Sequence, residues 1–208
     1  MPQPKIFIFA PADTESHKEL EAAGCSLALG SANWSDPTGD TTEKLAEMAS
    51  GADALAGTSI KGAYISKDVM QASEGLRIIA KYTVGVDEID VDAATALGIL
   101  VTHAPTEANW GGVAETTVTK MLTLLKNTRE RDRHMKTGGA WRDLSLTGTH
   151  IGTREEDGYE GIVIGLIGLG RIGGRVSKLM APWGMRIVAY DPYVAEERFR
   201  ELGVERLG

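Results

Sequence analysis

Short β-favouring apolar runs alternate with helix-like segments through the first part of the chain. The predicted strands are Lys5–Ala10, Asp53–Ala56, Leu76–Lys81 and Ile99–Thr102. The predicted helices are Asp13–Ala23, Thr42–Ser50, Ser66–Ala72 and a short one that Asp90 caps and that reaches Leu97, with a turn at Asp36–Gly39 before the second. Strands that alternate with helices in this way predict an α/β domain with a parallel sheet.

A long amphipathic helix and an irregular segment follow. Apolar residues recur at helical spacing on one face of the helix, at Ala114, Val118, Met121, Leu122 and Leu125. Gly138 and Gly139 are expected to end this helix. Residues 140–160 carry few regular signals, and so long a loop in a compact domain is usually functional or held by a partner. We expect it to reach a second subunit; an ordinary surface loop is the alternative.

The stretch 162–193 has the pattern of a strand, a glycine-rich loop, a helix and a second strand. The strands are predicted over Ile162–Ile167 and Arg186–Tyr190, and the loop between them is G-L-G-R-I-G at 168–173. Another helix is predicted over Val194–Leu202. Only two strands of this second sheet are recognised, whereas a doubly wound nucleotide-binding domain has about six.

The three glycines of this loop have different physical tasks. Gly168 allows the tight turn after the strand, and Gly170 lets a pyrophosphate approach the backbone. Gly173 lets the helix pack closely against the strand. The helix N-terminus then offers free amide groups and a partial positive charge to the phosphates. The loop predicts a dinucleotide site; a glycine-rich structural turn is the alternative.

Asp191, directly after the second strand, indicates which dinucleotide is bound. A carboxylate at this distance from the loop accepts hydrogen bonds from an adenosine ribose. It would also repel a 2′-phosphate, and the Pro192 and Tyr193 that follow supply no cation to hold one. NAD is therefore favoured over NADP.

Composition and charge narrow the class of protein. The 22 basic and 29 acidic residues give a net charge of −7, which argues against nucleic acid as a partner. The sole cysteine, Cys25, excludes an intrachain disulfide or a thiolate metal cluster, and we expect no metal site. No apolar run has the length of a secretory signal or a membrane span, so we expect a cytoplasmic protein that does not bind a membrane.

Several motifs together resemble a known enzyme family. They are LRIIAKYTVGVDEIDVDAATALGILVTHAP at 76–105, NWGGVAETTV at 109–118, IGLIGLGRIG at 164–173 and AYDPY at 189–193. Their order and spacing are similar to those of the D-isomer-specific 2-hydroxyacid dehydrogenases, including the D-3-phosphoglycerate dehydrogenases. The resemblance implies two flavodoxin/Rossmann-like parallel-sheet domains. Residues 1–102 would belong to the substrate-binding domain, and 103–208 would form the first part of an incomplete NAD-binding domain.

The resemblance also assigns residues to a substrate. Val84 and Gly85 would form the loop whose backbone amides meet the substrate carboxylate, and Val84 would also border the nicotinamide. Backbone donors of this kind bind an anion at any pH. Asn109 would contact the substrate, and Val113 would pack against the nicotinamide. The alternatives are a plain turn after a core strand at 83–87, and an ordinary helix start that Asn109 caps.

Arg171 and Ile172 would give backbone amides to the cofactor pyrophosphate, again by resemblance. The Arg171 side chain would add charge there or point into solvent.

The family's catalytic arginine, acid and histidine follow the second Rossmann strand at a distance, so the resemblance places no catalytic residue in this chain. Among the four histidines, His103 lies near the expected cleft but precedes the glycine loop, which favours a hinge or core role. We therefore expect the front part of a longer NAD-dependent oxidoreductase, a homodimer, inactive as these 208 residues alone. The alternative is a non-catalytic NAD-binding or protein-interaction module related to the family.

One segment departs from members that act on phosphorylated substrates. Those members often carry an arginine after the strand that here ends at Ala56, whereas this sequence continues Gly57-Thr58-Ser59. A 3-phosphoglycerate substrate is doubtful on this ground.

Overall fold

The computed structural model describes residues 3–11, 15–33, 35–36 and 39–208. The chain divides into two compact units, Met1–Pro105 and Thr106–Gly208. The boundary between the units lies between Pro105 and Thr106, three residues after the predicted boundary between residues 102 and 103. Both units are built on parallel sheets, and the predicted α/β class is confirmed.

The first unit is a five-stranded parallel sheet with helices in the connections. Its strands are β1 Lys5–Ala10, β2 Ser26–Leu29, β3 Ala54–Gly57, β4 Ile78–Lys81 and β5 Leu100–Thr102. Their order in the sheet, β2-β1-β3-β4-β5, is that of flavodoxin-like folds. The helices are α1 Glu15–Ala22, α2 Thr42–Ala49, α3 Lys67–Gln71 and α4 Val91–Ala96. All of the strands predicted in this unit are present.

One core holds this unit together, and the predicted cap of its last helix is present. Its largest fully buried side chains include several from the strands and from α2 and α3: Phe7, Phe9, Leu45, Leu55, Met70 and Ile79. Asp90 caps α4 by accepting a 2.9 Å hydrogen bond from the amide of Ala93. This cap satisfies an amide that the helix itself leaves unpaired.

One strand of this sheet was not predicted from the sequence. β2 lies at the sheet edge, pairs with β1 only, and none of its residues is fully buried. The predicted turn at 36–39 includes Pro37 and Thr38, which lie outside the described residues, as do Asp13 and Thr14 of the first predicted helix. The described part of that helix begins at Glu15.

The second unit combines a three-stranded parallel sheet with four α-helices among its described residues. Its elements are α5 Glu107–Leu125, α6 Thr128–Lys136, β6 Val163–Ile167, α7 Arg171–Met180, β7 Arg186–Tyr190, α8 Glu196–Leu202 and β8 Glu205–Arg206. The prediction of only two strands was wrong, because β8 pairs with β7 in parallel. The sheet order is β6-β7-β8.

The predicted single helix up to Gly138 was also wrong, because the chain breaks it at Asn127. That residue has a left-handed backbone with φ of 51°, which asparagine tolerates better than most residues. Its side-chain Nδ2 donates to the carbonyl of Thr147 at 3.3 Å, and the Lys126 ammonium donates to the carbonyl of Thr149 at 2.7 Å. The predicted apolar face of α5 is correct, since its residues pack against the core of the second unit.

Residues 140–160 contain little regular structure, as predicted. A 3-10 turn covers Leu144–Leu146, and an isolated antiparallel bridge joins Arg154 to Tyr159. Ile151 is buried in the core of the second unit. Within the described ranges of the chain, no helix combines the length and the apolar character needed to cross a membrane.

Candidate functional site

The glycine loop of the second unit has the geometry that a dinucleotide phosphate loop requires. Gly168 has a φ of +90°, and its amide donates to the carbonyl of Tyr190 at 2.8 Å, which ties the turn to β7. A Cβ atom at Gly173 would lie 2.1 Å from the Gly168 carbonyl oxygen, so no larger residue fits there. A Cβ atom at Gly170 would meet nothing within 4 Å. Backbone at Gly170 is therefore open to a phosphate.

Helix α7 begins immediately after this open position. Gly170 is its N-cap residue, and no side chain caps the amides of the first turn. These amides, starting with Arg171 and Ile172, have no partner within the helix, and the helix dipole adds partial positive charge. The side chains of both residues are exposed. The alternative of a purely structural glycine turn leaves these donors without a role.

Asp191 links the loop to the end of β7. Its Oδ2 accepts from the amide of Leu169 at 2.8 Å, and its Oδ1 accepts from the amide of Tyr193 at 2.9 Å. These backbone hydrogen bonds, that of Leu169 first, hold the pKa of the Asp191 carboxyl below its usual value, and the charge of Arg206 lowers it slightly further. An ionised carboxylate has about four lone-pair directions, so it retains acceptor capacity for a ribose hydroxyl.

Arg206 lies on β8, a strand that was not predicted from the sequence. Its positive charge could in principle hold a 2′-phosphate, which Pro192 and Tyr193 cannot do, but its guanidinium is already engaged. Its Nη1 donates to Glu196 at 3.2 Å, and the group lies 5.1 Å from the centre of the Phe199 ring. A strand of only two residues gives no periodic signal by which it could have been found.

The predicted carboxylate loop lies in the first unit, directly after β4. Two of its carbonyl groups are engaged: that of Thr83 accepts from the amide of Ala104 at 3.0 Å, and that of Val86 accepts from the amide of Ile89 at 2.9 Å. The amides of Val84 and Gly85, by contrast, donate to no residue within the described ranges. A loop with engaged acceptors and free donors is chemically suited to an anion.

His103 fixes a third carbonyl of this loop. Its Nδ1 lies 2.9 Å from the Val84 carbonyl oxygen, and because a carbonyl can only accept, Nδ1 carries the proton. The side chain is exposed, so the core role considered for it was wrong. The contact joins residues 19 positions apart, which no local pattern indicates.

Asn109 and Val113 lie on the first turns of α5 in the second unit. The Asn109 Oδ1 accepts from the Thr106 amide at 3.1 Å and from the Thr106 hydroxyl at 2.7 Å. Asn109 therefore caps the helix start, as its alternative interpretation holds. Val113 is exposed, one helical turn further on. No cluster of three His, Cys, Asp or Glu side chains suited to a metal ion occurs in the part of the chain that the structure describes.

Known proteins match the chain over nearly its whole length. Residues 6–201 match the family model of the D-isomer specific 2-hydroxyacid dehydrogenase, catalytic domain. The chain is 36% identical over 201 residues to D-3-phosphoglycerate dehydrogenase of Methanocaldococcus jannaschii, covering 97% of this chain and 34% of that protein. It is 34% identical to glyoxylate reductase of Korarchaeum cryptofilum, covering 83% of this chain and 49% of that protein.

A solved structure has the same fold. D-lactate dehydrogenase from Aquifex aeolicus, in complex with NAD and lactic acid, superposes with a TM-score of 0.72 at 24% identity. The match covers 98% of this chain and 56% of that one. The chain thus spans about a third of the length of the phosphoglycerate dehydrogenases that it matches. Because the family model matches residues 6–201, the chain belongs to the D-isomer specific 2-hydroxyacid dehydrogenase family.

Proposed function

We propose that the chain supplies the nucleotide-binding loop and the carboxylate-binding loop of an NAD-dependent 2-hydroxyacid dehydrogenase. The observation that carries the proposal is the joint geometry of Gly168, Gly173 and Asp191. Gly173 packs directly against the backbone carbonyl of Gly168, and the Leu169 amide connects the loop to the Asp191 carboxylate. One loop therefore presents phosphate donors beside a ribose acceptor.

The cofactor residues are those of the second unit. Gly168, Gly170 and Gly173 shape the loop, Arg171 and Ile172 give amides to the pyrophosphate, and Asp191 accepts from the ribose. The ionised state of Asp191 favours NAD, because a 2′-phosphate would be repelled. When bound, NAD supplies the hydride acceptor for oxidation of a 2-hydroxy acid.

The substrate would be a small 2-hydroxy or 2-oxo acid whose carboxylate meets the first unit. The amides of Val84 and Gly85 are the donors, and Val84 also offers an exposed apolar side chain for the nicotinamide. Val113 would serve the nicotinamide from α5. Asn109 retains its Nδ2 for a substrate contact while its Oδ1 caps the helix.

The proposal makes different predictions for NADH binding and for catalytic turnover by this chain. Since no catalytic arginine, acid and histidine set is assigned to these residues, the 208-residue chain is expected to bind NADH without reducing a 2-oxo acid. NADH fluorescence titration of the chain tests the first half, with Asp191→Ala expected to weaken binding at least tenfold. Saturable NADH binding that Asp191→Ala leaves unchanged would refute the assignment. Steady NADH oxidation with glyoxylate would refute the expected inactivity.

Assembly as a homodimer is part of the proposal. Trp141 is 90% exposed and Leu144 is 77% exposed, both in the segment 140–160 of the second unit. Leu124 and Met135, on α5 and α6, add exposed apolar surface in the same unit. Large exposed apolar side chains mark association surfaces when they cluster. Light scattering after gel filtration is expected to give a dimer that Trp141→Arg with Leu144→Glu converts to a monomer; a monomeric parent chain would contradict this.

A further inference from the structure

A buried lysine lies at the base of the carboxylate-binding loop. Lys81 is the last residue of β4, and its side chain is 0% exposed. The ammonium donates to the carbonyl of Thr58 at 2.8 Å and forms an ion pair with Glu88. A buried ammonium is costly unless it is paired and hydrogen bonded, and both conditions are met here.

The two residues of the ion pair flank the loop in the sequence and bring its two ends together. Lys81 precedes the loop at 83–87, and Glu88 follows it directly. Thr58 belongs to the connection after β3, and its own amide donates to the carbonyl of Ala10 at the end of β1 at 3.0 Å. Lys81 thus joins the carboxyl ends of neighbouring strands, where ligands bind in open parallel sheets.

The ion pair between Lys81 and Glu88 holds together the two ends of the loop at 83–87, whose Val84 and Gly85 amides are free. The backbone carbonyl of Glu88 also accepts from the amide of Ile65 at 2.8 Å, which anchors the far end of the loop to the segment before α3. With its two ends anchored and the carbonyls of Thr83, Val84 and Val86 engaged, the loop has little freedom to reorient its free amides.

We propose that Lys81 is a positioning residue for substrate binding, which acts by pairing with Glu88 to keep the Val84 and Gly85 amides directed at a substrate carboxylate. The inference rests on the proposed function, because it assumes that this loop receives the carboxylate. In this proposal Lys81 does not touch the substrate, since its buried ammonium is engaged with Thr58 and Glu88.

The protonation of Lys81 is compatible with this role. Burial lowers the pKa of Lys81 to about 8, and the negative charge of Asp87 opposes that shift. Asp87 and Glu88 are the charged groups beside the ammonium. At neutral pH the ammonium therefore keeps its proton and the pair persists.

The test separates positioning from plain stability. Glyoxylate is titrated into the 15N-labelled 208-residue chain while the amide signals of Val84 and Gly85 are followed. The variants are Lys81→Met, the milder Glu88→Gln and the double variant Lys81→Met with Glu88→Leu. Lys67→Met, at an exposed lysine that begins α3, is the matched control.

The double variant is decisive, because replacing a buried ion pair by apolar residues often restores stability. We expect its melting temperature to return towards that of the parent, while glyoxylate affinity stays at least tenfold weaker in all three variants and unchanged in Lys67→Met. Recovery of affinity together with stability would show that Lys81 only stabilises the fold and would overturn the inference.

If the amide signal of Gly85 in the parent chain does not shift when glyoxylate is added, this result counts against the proposed carboxylate site. Hydrogen exchange then decides the inference. The amides of Ala104 and Ile89 donate to loop carbonyls, so both are expected to exchange at least tenfold faster in the double variant than in the parent. Unchanged exchange at both amides would overturn the positioning role.

Discussion

The carbonyl oxygen of Gly168 occupies the space that a side chain at Gly173 would need. An ideal Cβ at Gly173 would lie 2.1 Å from that oxygen, well inside any tolerated contact. The obstacle is backbone, which cannot rotate away as a flexible side chain would. The spacing of the two glycines therefore reflects a direct contact between the turn and the first turn of α7.

Gly173→Ala is expected to destabilise the second unit and to weaken NADH binding together. Forcing one extra carbon into a closed contact typically costs about 1–3 kcal/mol. Urea unfolding measures the loss, and NADH titration measures the binding. Gly165→Ala is the control, since a Cβ there would meet nothing within 4 Å. Equal stability of the two alanine variants would contradict the steric argument.

Asp191→Asn is expected to reduce the preference for NADH over NADPH. The substitution keeps the size of the side chain but removes the negative charge that would repel a 2′-phosphate. NADH binding should also weaken, because asparagine has one acceptor oxygen where the carboxylate has two, and both carboxylate oxygens already accept backbone amides of the loop region.

Titrations of both cofactors at one low ionic strength check the Asp191 prediction, because salt screens such repulsion. Tyr193→Phe, at a side chain that is almost fully exposed, serves as the control and should leave both affinities unchanged. An unaltered ratio of NADH to NADPH affinity in Asp191→Asn would remove Asp191 as the residue that selects the cofactor.

The sequence predicted the elements whose own residues dictate their structure. The β-branched and aromatic run of β1 and the glycine loop with its two flanking strands were found because strand propensity and glycine geometry are local. β2 and β8 were missed because both are short and neither has a fully buried residue. They are strands mainly through pairing with β1 and β7.

The candidate site divides in the same way. Gly168, Gly173 and Asp191 were predictable from spacing, whereas the engaged carbonyls of the loop after β4 were not. His103 contacts Val84 across 19 positions, and Lys81 contacts Thr58 across 23. Such contacts depend on which strands are neighbours, and a single sequence does not state this directly.

The helix break at Asn127 predicts how substitutions there behave. Asn127→Ala is expected to destabilise the second unit by up to about 1–2 kcal/mol, because alanine lacks the short polar side chain through which asparagine tolerates a left-handed backbone. Asn127→Gly should be nearly neutral, since glycine adopts this conformation freely and the side-chain bond to Thr147 is long at 3.3 Å. Urea unfolding of the three proteins checks this. A glycine variant as unstable as the alanine variant would show that the side chain, rather than the backbone, matters.

Asp40 gives the first unit an acid-dependent stability. Burial raises the pKa of Asp40, but hydrogen bonds from Lys44 and Ser31 outweigh it and leave the pKa at about 2 instead of 3.8. Ser31 donates from its amide at 2.6 Å and from its hydroxyl at 2.7 Å. A carboxyl whose pKa is depressed on folding stabilises the fold above its unfolded pKa, and this contribution is lost as the pH falls towards the folded value.

The free energy of unfolding should therefore fall by about 2 kcal/mol from this group between about pH 5 and about pH 2, at 1.36 kcal/mol per pKa unit. Asp40→Asn cannot titrate, so the difference in stability between the parent and this variant should shrink by that amount over the same range. Urea unfolding at several pH values measures it, with Asp132→Asn as the control because the ion pair of Asp132 with Lys136 is exposed. A difference that stays constant down to about pH 2 would show that Asp40 contributes through hydrogen-bond geometry alone, without a depressed pKa.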